Sequence, residues 1–186
     1  ARHAAPDSPE HSSASAPGAA PADLDRVEAA MIFVSEEDPG EDFYGISQIP
    51  GFLISADGLA LVPSIRITGS KSHLVYVGDN EEPVEAKFIA ADECLDIALI
   101  DLEGEDYPFL ELADTDLQRG DDVYGPLWNR ARARYELIDG VVESLDNPGN
   151  TTGRSVPSLI RYQTEENTAR FGPVVNEEGE LVGLAA

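Results

Sequence analysis

Apolar and polar residues alternate along this chain in short bursts, and the period of those bursts changes early. Leu24, Val27 and Met31 recur at spacings of three and four, the period of a helix face, so a short helix is predicted from Asp23. It passes into a strand at Met31 to Val34. From Gly51 onward the text reads as β. Gly51 to Ser55 and Leu59 to Ile65 flank Ala56-Asp57-Gly58, a tight turn in which Asp-Gly favours positive φ. His73 to Val77 and Val84 to Ala90 flank the polar turn Gly78-Asp79-Asn80, and Asp96 to Leu102 alternates and then runs apolar. Asp121 to Tyr124, Tyr135 to Leu145 and Leu159 to Gln163 continue the series. Val174 to Asn176 and Leu181 to Leu184 close it around Glu177-Glu178-Gly179. Short strands at regular spacing, Gly-rich turns and little helix define an all-β sandwich or barrel. Pattern alone does not choose between the two.

Composition changes the picture first at the N-terminus. Residues 1 to 22 (ARHAAPDSPEHSSASAPGAAPA) hold no large apolar side chain to offset the entropy of ordering them. A flexible tether is expected there, or an extended arm that orders only on a partner. With 186 residues the chain is long enough for one large all-β domain or two small ones, burying roughly 70% of its unfolded surface. Its longest apolar runs, Leu59 to Val62 and Ile97 to Ile100, have strand length. They fall far short of the ~20 residues a membrane-spanning helix needs.

Charge excludes further partners. With 36 acidic residues against 12 basic ones, the formal net charge is -24. Such a surface repels a phosphate backbone, so neither nucleic acid nor an anionic membrane is expected as a partner. It serves solubility or life at high salt, or it is a docking face for a basic partner or for cations. Ser35 to Asp42 (SEEDPGED) carries five carboxylates in eight residues. Their spacing matches no EF-hand pattern, so a solvated loop is expected, with no metal or cofactor. The one cysteine, Cys94, allows no intrachain disulfide and is expected as a small, partly buried strand residue. The chain opens on Ala1-Arg2 and not on Met, as a mature form stripped of a signal peptide would; an artificial start reads the same.

Five phrases, in order, then choose the fold. "GFLISADGLALVPS", "DECLDIALIDL", "LADTDLQRGDDVYG", "GVVES" and "FGPVVNEEGELVGLAA" resemble successive segments of the trypsin-like HtrA/Deg serine protease family. Each phrase alone is weak evidence; their shared order is strong. The resemblance covers most of residues 24 to 186. It implies a trypsin-like double β-barrel of two six-stranded barrels with a cleft between them. The division it implies is an arm at 1–22, an N-terminal barrel at 23–111 and a C-terminal barrel at 112–186. The text stops at Ala186 soon after a strand pair, so a final barrel strand is expected to be missing or supplied by another segment. An unpaired edge would itself be a docking surface.

Carried over residue by residue, the resemblance implies a degenerate triad. The family's Thr-Asn-x-His-Val reads here Val62-Pro63-Ser64-Ile65-Arg66, which puts Ile65 at the histidine position. The Gly-Asn-Ser-Gly-Gly-Pro turn reads Thr168-Ala169-Arg170-Phe171-Gly172-Pro173, which puts Arg170 at the nucleophile. Asp96 alone survives. Isoleucine accepts no proton, and arginine is a permanent cation without nucleophilic character. A serine needs a base within hydrogen-bond reach, and an oxyanion hole needs backbone N–H groups splayed by a glycine-rich turn. The chain is therefore expected to be no enzyme.

Displaced chemistry finds little support in the residues. His3 and His11 lie in the polar arm, and His73 opens a strand well past the family's histidine position. Ser64 adjoins Ile65, but the sequence shows no base beside it. One expectation is that Arg170 pairs with Asp96 and plugs the cleft; the other is that backbone N–H groups hold Asp96 and Arg170 faces solvent. Trp128, Arg130, Arg132, Arg134 and Tyr135 form the one dense basic stretch, where the family has a specificity loop. They are the candidate binding residues, for an acidic strand or another subunit, unless they merely neutralise their own acidic neighbours. The function that follows is a non-catalytic binding or structural subunit of a larger periplasmic or secreted protein assembly. The alternatives are a peptidase with a displaced catalytic residue and an acidic cation-binding scaffold.

Overall fold

The computed structural model describes residues 24–35, 48–64, 67, 73–80, 82–114, 116–129, 134–151, 154–164 and 171–185. The arm at 1–22 and the acidic run at 36–42 lie outside them. Helix α1 (Leu24–Ala29) leads into β1 (Met31–Ser35). Strands β2 (Gln48–Leu53), β3 (Leu59–Pro63), β4 (His73–Val77), β5 (Val84–Asp92) and β6 (Ile97–Leu102) follow. The six strands close into a barrel in the order β1-β2-β3-β6-β5-β4, with β4 returning to β1.

Period-two alternation explains the closure. Ile32 and Val34 of β1, Ala60 and Val62 of β3, Val75 and Val77 of β4, and Ala98, Ile100 and Leu102 of β6 share one buried cluster. Successive strand side chains point to opposite faces, so these sets line the inside of one closed sheet. Burying each large side chain of the set fully contributes about 1.5–3 kcal/mol. The predicted Asp57-Gly58 turn is present, with Gly58 at φ 99. A Cβ at that position would stand 2.5 Å from the carbonyl oxygen of Leu102, so the turn requires glycine twice over.

The second half contains β7 (Asp122–Asn129), β8 (Arg134–Thr151), β9 (Arg154–Thr164), β10 (Gly172–Val175) and β11 (Leu181–Ala185). They form one sheet in the order β11-β10-β7-β8-β9. The resemblance implies six strands in this half; the described residues supply five. β8 also runs past its predicted end at Leu145, crossing Asn147-Pro148-Gly149 by register shifts and not by a turn. Proline is tolerated at such bulges because no ladder hydrogen bond is asked of it.

A third set of side chains joins the halves. Val27, Ala30, Met31 and Phe52 from the first half pack with Leu110, Tyr124, Val175 and Leu181 in one buried cluster. Met31 and Phe52 belong to strands whose alternate residues fill the barrel, so β1 and β2 serve both cores. Among the described residues, no helix is long and apolar enough to cross a membrane.

Cys94 departs from its expectation. It is exposed and lies in the turn between β5 and β6, not in a strand. The cause is Asp92, whose Oδ1 accepts the N–H groups of Cys94 at 2.8 Å and Leu95 at 3.2 Å. An aspartate side chain that mimics a backbone turn in this way breaks the strand early.

Candidate functional site

The ladder between β3 and β6 ends at the pair Pro63–Ile97. One step beyond it, Ser64 and Asp96 therefore face each other, although 32 residues apart in sequence. The Ser64 N–H donates to the Asp96 carbonyl oxygen at 3.2 Å, and the Ser64 hydroxyl donates to Asp96 Oδ1 at 2.8 Å. Ile67 N–H closes a tight turn onto the Ser64 carbonyl at 3.2 Å and buries its own side chain completely. Asp96 sits at φ 55, in the left-handed region. Aspartate tolerates that conformation better than most residues because its short polar side chain bonds locally.

This pair gives one partner to Asp96, the residue to which the resemblance assigns the triad aspartate. The hydroxyl of Ser64 donates to the carboxylate, a contact that the sequence did not suggest. Arg170, the partner the sequence suggests, lies outside the described residues, as does Ile65. Chemically the pair is a poor nucleophile and base. A carboxylate is a weaker base than an imidazole, and Ser64 is buried, at 4% exposure.

The one histidine among the described residues is remote. His73 of β4 stands opposite Ala86 of β5, which stands opposite Leu102, the far end of β6 from Asp96. Six residue steps of strand separate the levels, about 19–20 Å. His73 is buried and shares a strand face with Val75 and Val77 of the barrel core. It is an interior residue. Among the described residues, no group of three His, Cys, Asp or Glu side chains converges to hold a metal ion.

On the opposite wall, Phe171 follows the position assigned to the nucleophile. Its ring stacks on Phe52 with centroids 6.4 Å apart and planes at 29°, joining the seam between the halves. The resemblance assigns a glycine to this position, where Phe171 places a ring. Glycine is kept at the next position for a steric reason. A Cβ on Gly172 would meet the Pro126 ring at 2.8 Å. The Trp128–Tyr135 stretch is the tip of the β7–β8 hairpin, where Trp128 pairs with Tyr135 and Asn129 with Arg134. Arg130 and Arg132 lie outside the described residues, as do the side chains of Trp128, Arg134 and Tyr135.

Three tyrosines, one each at the first core, the seam and the second core, hold their protons more tightly than usual. Burial raises the Tyr162 phenol above its ordinary 10.0. Burial, helped by Glu177, Asp122 and Asp139, does the same at Tyr124. At Tyr107 burial is joined by Glu103.

A closed barrel and an open one, meeting along an apolar seam with the Ser64–Asp96 contact at the first barrel's rim, make this a trypsin-like double β-barrel. The chain belongs to the trypsin-like peptidase domain family, which matches residues 51–184. It is similar to the probable periplasmic serine endoprotease DegP-like of Marinomonas sp., at 30% identity over 140 residues, covering 72% of this chain and 28% of that protein. The like-named protein of Pseudomonas fluorescens is 31% identical over 141 residues, again covering 72% of this chain and 28% of the relative. The match thus spans little more than a quarter of the relatives' length. Among solved structures, the MamO protease domain from Magnetospirillum magneticum superposes with a TM-score of 0.67 at 21% identity, covering 86% of this chain and 84% of that one. The Rv3671c protease from M. tuberculosis in its active form gives 0.63 at 19% identity, covering 97% and 82%. Likenesses at these identities establish the fold.

Proposed function

We propose that this chain is a non-catalytic, protease-derived subunit that binds or builds rather than cuts, in a periplasmic or secreted assembly. The Ser64–Asp96 hydrogen bond at 2.8 Å carries the reading. The carboxylate that orients the imidazole of an active triad is engaged here by a buried neighbour of the histidine position. Ile65 and Arg170 at the other two triad positions, and Phe171 in place of a glycine, support the same conclusion. The compartment follows the relatives, which are named periplasmic. In this reading residues 23–111 and 112–186 are the two halves of the subunit and residues 1–22 its arm. The basic hairpin tip with Arg130, Arg132 and Arg134 is a partner contact. Reversing the three charges should weaken partner capture; unchanged capture would remove the hairpin from the interface.

The relatives' name, serine endoprotease, favours a second reading: a peptidase with a displaced catalytic residue. One assay separates the two. The purified chain is incubated with casein and, in parallel, with a serine-reactive phosphonate. The proposal expects intact casein and no covalent adduct, and labelling of any serine would overturn it.

A further inference from the structure

A cavity lies away from the Ser64–Asp96 contact, at the other end of β6. Asp96 precedes that strand, whereas one wall of the cavity, Glu105 to Pro108, follows its end at Leu102. The length of β6, about 20 Å, keeps the two places apart. Three segments distant in sequence enclose the cavity: α1 with the start of β1, the turn after β4, and the loop after β6. It measures about 630 Å³ and is half open to solvent. That size suits a ligand of several groups and not a single ion.

Two chemistries line it. The floor is apolar, built by Phe33 of β1, Val77 of β4, and Tyr107 and Pro108 of the loop. Each enclosing segment then adds acid: Asp25 and Glu28 from α1, Asp79 from the turn, and Glu105 and Asp106 from the loop. No lysine or arginine is among the described lining residues. The ion pairs Arg26–Glu111 and Lys87–Glu103 lie elsewhere, and none of the five carboxylates has a partner among the described residues. Like charges around one space repel one another, and all of them gain from positive charge that enters it. A metal ion does not meet this need, because no three of the acids converge as ligands. An organic cation does. Lysine and arginine lay an apolar stem along apolar surface and keep the charged head at its wet rim.

We infer that this cavity binds a basic segment of a partner polypeptide, one in which arginine or lysine alternates with a large apolar side chain. The apolar side chain is buried on the floor with Phe33 and Tyr107. The basic side chains meet the carboxylates of α1, the turn and the loop. Acids contributed by three separate segments call for several positive charges spaced along one ligand, which an extended basic segment supplies. That the ligand belongs to a partner polypeptide rests on the reading of the chain as a subunit.

Calorimetry and amide chemical shifts on the 186-residue chain at low salt test this with a blocked hexapeptide that alternates Arg with Leu. Binding should shift the amides of residues 25–33, 77–80 and 105–108. A second hexapeptide alternates Arg with Ser and carries the same charge. It should bind about tenfold more weakly, having no apolar side chain to bury on the floor. The triple variant Glu28→Gln, Asp79→Asn, Glu105→Gln should lose about tenfold in affinity for the leucine peptide. The triple variant Glu85→Gln, Glu143→Gln, Glu178→Gln removes as many charges outside the cavity and should keep its affinity. Equal binding of the two peptides, equal binding by the two variants, or unmoved cavity amides would each overturn the inference. The peptide comparison uses the unaltered chain, so it decides the matter even where a variant fails to fold. None of these results touches the phosphonate assay, so this inference and the loss of catalysis can fail separately.

Discussion

Replacing Ser64 by alanine isolates one atom of the site. The backbone bonds of residue 64 to Asp96 and Ile67 persist, and only the hydroxyl that donates to Asp96 Oδ1 at 2.8 Å is lost. A hydrogen bond to a charged group contributes about 1.5–3 kcal/mol net. Ser64 is 4% exposed, so water does not replace its hydroxyl, whereas Asp96 is half-buried and recovers part of its solvation. The lower part of the range applies, about 1.5–2 kcal/mol. For a chain of this size that lowers the melting temperature by about 3–8 °C. Asp96→Asn keeps the left-handed backbone and an acceptor oxygen but loses the charge, and should cost about 1 kcal/mol. Urea denaturation at neutral pH and fixed salt, followed by Trp128 fluorescence and far-ultraviolet circular dichroism, measures both. The double variant should be less destabilised than the sum of the singles by about 1 kcal/mol. A loss below about 0.5 kcal/mol for Ser64→Ala, or strict additivity, would refute the contact as the anchor of Asp96.

Phe171→Ala should lower stability by about 2–3 kcal/mol, because a stacked ring leaves the seam and a hole replaces it; an unchanged urea midpoint would show that Phe52 stands without it. The raised Tyr162 phenol makes stability pH-dependent on the alkaline side. Its contribution is full below pH 10 and is lost as pH rises through the raised folded value. Tyr162→Phe should therefore flatten part of that alkaline fall, the remainder belonging to Tyr107 and Tyr124. An identical pH profile would reject the burial of that hydroxyl. At a net charge of -24 the folded chain repels itself, so the urea midpoint should climb as sodium chloride is raised from low to molar concentration. A flat or falling midpoint would show that the carboxylates are already paired.

Much of the fold was legible because local chemistry and global placement agree. The alternation of His73 to Val77 defines β4 to the residue, since both faces of that strand have one destination each. Asp57-Gly58 could be read as a turn because φ 99 admits few residues besides glycine. The end of β8 was misread for the opposite reason. Asn147-Pro148-Gly149 has turn chemistry, and only pairing with β9 carries the strand through it as a series of bulges. Cys94 was misplaced because a single aspartate, Asp92, diverts two backbone N–H groups from the ladder. The Ser64–Asp96 contact was invisible because it arises from the pairing of β3 with β6, strands that are not neighbours in sequence. Its one available signal was position, a hydroxyl at the end of one strand and a carboxylate at the start of another.

The shared cluster around Met31, Phe52, Tyr124 and Val175 bears on how the molecule comes apart. Side chains from α1, β1 and β2 are as much a part of it as those from β7, β10 and β11, so neither half can shed the other without baring its own flank to water. Loss of structure should spread across both in a single cooperative event, not in two stages. A nick in the connecting segment at 103–121 would leave two fragments that still elute together. Taking them apart would require denaturant.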